Sequence, residues 1–247
     1  MPPDSINLQD LTVVLPTRNE AANIRPFLDS IPPAVSLVVV DASDDATPAI
    51  IEEERPERTT VLRRPGGIAL ARQLGAEAAS TTWLIFTDAD VEFPFGYFET
   101  LCLAGRCDAF YGPKLSLTEY TGYYRFIAHG QQLCHWCGIP AATGSNMCIR
   151  REALLAVGGF DPCLPCNEDS EVMWRLKRSG FNVTYMPELA VYARDHRRLH
   201  RGVIRKTMHS VARCVLLYTD LMPSRWRTSD WGYWGPEKQR EEPPSAF

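Results

Sequence analysis

Over the first third of the chain, short apolar runs rich in β-branched residues alternate with stretches of helical length. Leu11-Thr12-Val13-Val14-Leu15 is apolar at nearly every position and is closed by Pro16, the texture of a strand buried on both faces that feeds a loop. A helix is expected from about Ala21. Val35 to Val40, interrupted only by Ser36, repeats the strand pattern and ends at Asp41; Ser43, Asp44, Asp45 and Thr47-Pro48 then supply cap and first-turn residues for a helix through Glu54. Thr60-Val61-Leu62 reads as a third strand, Pro65-Gly66-Gly67 as a turn, Ile68 to Ala79 as an Ala-rich helix, and Trp83-Leu84-Ile85-Phe86 as a fourth strand ending at Thr87-Asp88-Ala89-Asp90. This β-α-β-α order predicts an α/β protein with a mostly parallel sheet covered by helices.

Such sheets bind ligands beyond the carboxyl ends of their strands. Thr17 to Glu20, Asp41, Asp88 and Asp90 stand at those ends, so polar groups distant in sequence are expected around one cleft. After Asp90 the pattern turns to aromatics, Gly and Cys without a clear period, read as the second half of the same domain. The tail after about Trp231 reads as loosely ordered, with Pro236, Pro243 and Pro244.

The chain has 247 residues, 45% hydrophobic and 23% charged, enough for one large α/β domain. No apolar run approaches the roughly 20 residues needed to cross a bilayer, and Met1 to Asp10 lacks the pattern of a signal segment. The net charge of -4 gives no global attraction to nucleic acid, yet seven of the 26 basic residues lie between Arg194 and Arg213 against the single acid Asp195. Any anionic partner is therefore met locally. Eight cysteines include Cys134-x-x-Cys137 and Cys163-x-x-Cys166, spaced like zinc half-sites; disulfides are an alternative, and free, mostly buried thiols are the plainer reading.

Two carboxylates that leave a sheet edge two residues apart, Asp88 and Asp90, can hold a hard divalent cation and a ribose hydroxyl, although the same pair also suits a solvated turn. Pro16-Thr17-Arg18-Asn19-Glu20, Val39-Val40-Asp41-Ala42-Ser43-Asp44-Asp45-Ala46-Thr47, Gly67 to Gly75, Asp88-Ala89-Asp90, Gly158-Gly159-Phe160-Asp161 and Glu168-Asp169 follow one another in order. Together they resemble glycosyltransferase family 2, over roughly residues 10 to 200.

The resemblance implies a GT-A fold, a nucleotide-diphosphate sugar donor, Mg²⁺ or Mn²⁺, and inversion at the anomeric carbon. It assigns Pro16, Thr17, Glu20 and Asp41 to the nucleoside pocket, Arg72 to the diphosphate, Asp88 and Ala89 to the ribose or sugar, and Asp90 to the metal. Ala42 and Gln73 depart from the commoner Asp and Asn, which leaves the base of the donor open between GDP-mannose and a UDP-sugar. The implied layout is a catalytic domain over 1–198, with a nucleotide half to about 92 and an acceptor half from 93, followed by 199–247. Plainer readings make Arg72 a surface ion-pair residue and Asp41 a helix cap.

Glu168-Asp169 precedes the helical pattern Val172-Met173-Trp174-Arg175-Leu176, where first-turn acids are also favoured by the helix dipole. The family uses the Asp of such a pair as general base, which implies Asp169 in that role beside Glu168 at the acceptor. Gly144-Ser145-Asn146 resembles the acceptor-side loop or is a plain turn. His196, and less so His200, fall where the family often has a histidine near the metal.

From Leu199 to Tyr218, Val203, Ile204, Thr207, Met208, Val211 and Val215 recur at three- and four-residue steps, with Arg201, Arg205, Lys206 and Arg213 on the remaining faces. This predicts an amphipathic basic helix that either lies on an anionic bilayer or packs on the domain. Trp226, Trp231, Tyr233 and Trp234 favour the interface, placing the protein at the cytoplasmic face of a membrane, as a soluble portion of a longer enzyme. The expected reaction is sugar transfer to a hydroxyl of a lipid-linked or membrane-proximal glycan. The alternatives are a polyprenyl-phosphate sugar synthase, a nucleotide-sugar-binding module and a nucleotidyltransferase.

Overall fold

The computed structural model describes residues 6–104, 107–196, 199 and 203–229. The alternation at the start of the chain folds as β1 (Leu11–Thr17), α1 (Ile24–Asp29), β2 (Ser36–Asp41), α2 (Thr47–Glu54), β3 (Thr59–Arg63), α3 (Ile68–Ala78) and β4 (Trp83–Phe86). These four strands are mutually parallel, in the spatial order β3-β2-β1-β4. The β1 strand extends two residues past the expected Leu15, because Thr17 still pairs in register with Asp41 and its carbonyl accepts from Ala42 N at 2.9 Å.

The aperiodic second half supplies β5 (Val91–Glu92), α4 (Tyr97–Cys102), β6 (Ala109–Tyr111), β7 (Lys114–Leu115), α5 (Thr121–Trp136), β8 (Met147–Arg150), α6 (Arg151–Ala156), α7 (Glu168–Arg178), β9 (Val183–Tyr185) and β10 (Val191–Ala193). The β8, β6 and β9 strands complete a seven-stranded sheet beside β4, with β8 antiparallel to both its neighbours. A separate three-stranded sheet, β5-β10-β7, stands at the exit of β4.

Side chains alternate across the large sheet with the two-residue period of a strand. Val13 and Leu15 face one core with Ile24, Phe27 and Ile51, while Val14 faces another with Phe86, Met147, Val172 and Met173. Helices therefore cover both faces, and the polar strand ends are left to form a site. All eight cysteines are thiols, and the Cys134/Cys137 and Cys163/Cys166 pairs do not join in a metal-binding cluster among the described residues.

The C-terminal part contains α8 (Val203–Tyr218) and α9 (Ser224–Arg227). The expected orientation of α8 is corrected in one respect. Arg213 does not point to solvent or lipid; it is fully buried, as is Leu217, while Met208, Val211 and Val215 are exposed. The physical reason is a set of carbonyls around the end of α9 that turn towards it: the Arg213 guanidinium donates to Trp226 O at 3.2 Å, Arg227 O at 3.3 Å and Ser229 O. The α8 helix is held to α7 through Asn167 Nδ2, which donates to Ser210 Oγ at 3.1 Å. His200, Arg201, Trp231, Tyr233 and Trp234 lie outside the described residues, as do the side chains of Val203, Ile204, Arg205 and Lys206. Among the described residues no helix is long and apolar enough to cross a membrane.

Candidate active site

The ends of β1, β2 and β3 converge on Asp41, whose side chain is entirely shielded from water. Oδ1 accepts from Thr17 Oγ1 at 2.7 Å and Ser43 Oγ at 2.6 Å; Oδ2 accepts from Ser43 N at 3.2 Å and Arg63 Nη1 at 3.0 Å. Asp41 is thus a hub that locks three strand ends. The Arg63 side chain that covers this carboxylate is itself 59% exposed. Arg63 escaped the sequence reading, although it is the register partner of Asp41 on the adjacent strand. Around this hub Asn19 N donates to Ser43 Oγ, and Glu20 N to Thr47 Oγ1, each at 2.9 Å. Pro16 is the last residue but one of β1, and Glu20 Oε2 accepts from Asn23 Nδ2 at 2.7 Å.

The exit of β4 joins α7 through one guanidinium. Arg72 is only 1% exposed, so it is neither a surface residue nor open to a diphosphate in this arrangement. Nη2 donates to Asp88 Oδ1 and to Gly144 O, each at 2.9 Å, and Nη1 donates to Glu168 Oε1. Burial lowers the pKa of Arg72, but Glu168, Asp88 and Asp169 raise it more, and the guanidinium stays charged. Its packing explains Gly144: a Cβ there would stand 2.3 Å from both terminal nitrogens of Arg72. The need for glycine is therefore internal packing rather than approach of a sugar to the backbone.

Asp88 Oδ2 accepts from Ser145 Oγ at 2.6 Å. Lys114 Nζ lies 3.4 Å from the same hydroxyl and donates to Asp90 Oδ1 at 2.9 Å. A chain of alternating charge thus runs from Asp90 through Lys114, Ser145, Asp88 and Arg72 to Glu168. Lys114 was invisible in the sequence, because a two-residue strand has no readable period. Ala89 turns into the core. Asn146 also faces inward, contrary to an acceptor role: Oδ1 accepts from Tyr97 OH at 2.7 Å and Nδ2 donates to Leu189 O at 2.6 Å. A buried amide must satisfy both of its ends, and here it does so within the protein.

The acids Glu168 and Asp169 stand in the first turn of α7, which starts at Glu168 with Asn167 before it. Asp169 is half-buried; Oδ2 accepts from Gly144 N and Oδ1 from Ser170 N, both at 2.6 Å. Burial raises its pKa, partly opposed by Arg72. Burial likewise raises Glu168, to about 7, with Arg72 pulling it down and Asp169 pushing it up. Gln73 takes no part in this cluster; its Oε1 accepts from Phe160 N at 2.8 Å, and a Cβ on Gly159 would meet that oxygen at 2.1 Å.

His196 does not meet Asp90. A buried imidazole needs partners for both nitrogens, and hydroxyls provide them: Tyr124 OH stands 3.2 Å from Nδ1, and Ser116 and Thr118 Oγ each stand 3.4 Å from Nε2. Among the described residues no three His, Cys, Asp or Glu side chains gather as a metal cage. The donor chemistry nonetheless fits a divalent ion. Four carboxyl groups, Asp88, Asp90, Glu168 and Asp169, face two cations, Arg72 and Lys114. Asp90 Oδ2 accepts no hydrogen bond among the described residues, and Mg²⁺ commonly takes one or two carboxylates plus substrate phosphates.

Comparison with known proteins agrees with this architecture. The chain is 32% identical over 232 residues to a pre-mycofactocin glycosyltransferase of Mycobacterium tuberculosis, covering 84% of this chain and 47% of that protein. It is 26% identical over 211 residues to the succinoglycan biosynthesis protein ExoA of Rhizobium meliloti, covering 74% of this chain and 62% of that protein. The chain thus spans about half to three-fifths of the length of these curated relatives. Among solved structures it resembles the mannosyltransferase PcManGT from Pyrobaculum calidifontis in complex with GDP-Man and Mn²⁺, with TM-score 0.62 and 22% identity over 85% of this chain and 62% of that one. It also resembles S. aureus TarS 1-349 in complex with UDP-GlcNAc, with TM-score 0.62 and 16% identity over 83% of this chain and 66% of that one. The fold is accordingly GT-A. The sequence model described as "Glycosyl transferase family 2" matches residues 12–157, more than half of the chain, and the chain belongs to that family of glycosyltransferases.

Proposed function

We propose that this chain transfers a sugar, with inversion, from GDP-mannose or a UDP-sugar to a hydroxyl of a lipid-linked or membrane-proximal glycan. The carrying observation is the single Arg72 guanidinium that binds both Asp88, at the exit of β4, and Glu168, next to Asp169. It brings donor-side and acceptor-side carboxylates within the span of one side chain.

The strand-end hub of Thr17, Asp41 and Ser43 offers a rigid floor for the nucleoside, and Asp88 a hydroxyl acceptor for ribose or sugar. Asp90 would hold Mg²⁺ or Mn²⁺, which when bound neutralises charge on the departing diphosphate. Asp169 is oriented by two backbone N–H donors, and burial raises its pKa. It accepts the proton of the acceptor hydroxyl as that oxygen attacks the anomeric carbon. The bond from that carbon to the diphosphate oxygen breaks, and the nucleoside diphosphate leaves with the electron pair. A phosphate acceptor, already ionised, needs no such base, so Asp169 favours a hydroxyl over a polyprenyl phosphate.

The donor classes agree with the ligands of the two solved relatives, GDP-Man and UDP-GlcNAc. Free nucleoside diphosphate as product supports glycosyl transfer; pyrophosphate would mean nucleotidyl transfer, and no product a binding module. Asp169→Asn keeps the shape without the basicity, so turnover should fall by about 10² or more with donor affinity nearly unchanged. Near-normal turnover in this variant returns Asp169 to the role of a helix-start acid.

A membrane-proximal acceptor is supported by two neighbouring helices. Tyr123 on α5 lies 3.4 Å from Thr207 on α8, and neither helix contains an Asp or Glu. Phe126, Leu133 and Trp136 are exposed on α5, and Met208, Val211 and Val215 on α8. Apolar and acid-free surface suits the cytoplasmic face of an anionic bilayer. The protein should float with anionic vesicles at low salt and not with neutral ones; equal behaviour with both sinks the membrane reading and leaves a freely diffusing acceptor.

A further inference from the structure

Lys114 has no role in the function proposed above, yet it stands on that function's metal-binding carboxylate. Its side chain is 15% exposed, that of Asp90 is 18%, and their charged atoms lie 2.9 Å apart. The pair is held in place by the small sheet: Val191 on β10 pairs with Lys114 on β7, Ala193 on β10 pairs with Val91 on β5, and Arg194 N donates to Asp90 O at 2.8 Å. An ammonium is a compact charge with three donors on a flexible four-carbon stem. It can leave one oxygen for another nearby without disturbing the backbone.

A divalent ion approaching Asp90 meets that ammonium at close range and is repelled, whereas a diphosphate brings new oxygens for both cations. We propose that Lys114 is an exchangeable cation. In the donor-free enzyme it occupies Asp90 and holds off the divalent ion; when a nucleoside diphosphate enters, it moves to a diphosphate oxygen and releases Asp90 to the metal. This inference rests on the reading of Asp90 as the metal ligand. Metal and donor then bind cooperatively, each raising the affinity of the other by the same factor. The nearby Ser145 hydroxyl, 3.4 Å from Nζ, offers an intermediate acceptor for the moving ammonium.

The test is a Mn²⁺ titration read by electron paramagnetic resonance of the free ion, without turnover, in the presence and absence of UDP or GDP. Wild type should bind Mn²⁺ weakly alone and on the order of tenfold more tightly with nucleoside diphosphate. Lys114→Met and Lys114→Gln should bind Mn²⁺ alone on the order of tenfold more tightly than wild type and lose most of the cooperativity. Lys114→Arg, which keeps the charge, should behave like wild type. Unchanged or weaker Mn²⁺ binding in both neutral, folded variants overturns the exchange. Asp90→Asn separates this from the underlying reading: if it binds Mn²⁺ as well as wild type does, the metal assignment fails and the exchange with it, whereas loss of Mn²⁺ binding leaves Lys114 to be judged by its own variants.

Discussion

Asp41 and the Glu168–Asp169 pair are carboxyl groups at the mouth of one sheet, and the protein handles their charge in opposite ways. Asp41 is surrounded by two hydroxyls, a backbone N–H and a peripheral guanidinium, so both its oxygens are satisfied by groups fixed to three strands. Glu168 and Asp169 share one buried guanidinium with Asp88, and burial pushes both pKa values up. Full hydrogen bonding makes the first a rigid binding element. Incomplete compensation raises the pKa of both acids of the second, the direction that suits the general base proposed for Asp169. The contrast separates a carboxylate fixed by its hydrogen bonds from a pair whose charge is only partly compensated, in line with the binding and proton-transfer roles proposed for them.

The largest expected effect comes from removing the side chain that compensates the second region and ties it to Asp88 at the exit of β4. Arg72→Met leaves Asp88 and Glu168 without their shared cation, and breaking a buried ion pair from one side costs about 3–5 kcal/mol. At about 2–4 °C per kcal/mol for a chain of this size, the melting temperature should fall by on the order of 10 °C. The loss should be smaller at pH 5 than at pH 8, because a protonated Glu168 no longer needs the guanidinium. Arg72→Lys should recover part of the stability but cannot fork to two carboxylates. A melting temperature unchanged at pH 8 would mean that Asp88 and Glu168 do not depend on this shared cation.

The two regions also differ in how far the sequence discloses them, for a physical reason. Strands β1, β2 and β4 are buried on nearly every position and flanked by helices with cap and turn residues, so composition alone marks them; Trp83–Phe86 coincides with its expected range. Their polar ends then locate Thr17, Asp41 and Asp88. The second half is built from strands of two to four residues whose pairing is non-local, and no periodicity survives at that length. Lys114 is therefore seen only once β7 is paired with β10. Arg213 fails for another reason. Helical periodicity assigns a charged residue to the wet face, but the carbonyls that hold it belong to a later turn.

A smaller effect, confined to the acceptor side, sharpens the same comparison. The pKa of Glu168 is raised to about 7 from an ordinary 4.5, so between these values the folded protein retains a proton that the unfolded chain has already released. Stability owed to this group must therefore decline as pH rises from about 4.5 to about 7 and stay lost above it. A carboxylate with a lowered pKa, such as Asp45 with its Thr47 and Ala21 hydrogen bonds, works in the reverse sense and loses its contribution on acidification. Glu168→Gln cannot ionise. Its melting temperature relative to wild type should climb between pH 5 and pH 7.5, even where Arg72 is left with less counter-charge and the absolute value is lower. Asp169 interacts with Glu168, so both proteins are compared on an Asp169→Asn background, where Glu168 alone differs. Parallel curves across this range would show that Glu168 is ionised throughout. The Arg72 cluster would then be a fully compensated ion pair, and the contrast with Asp41 would disappear.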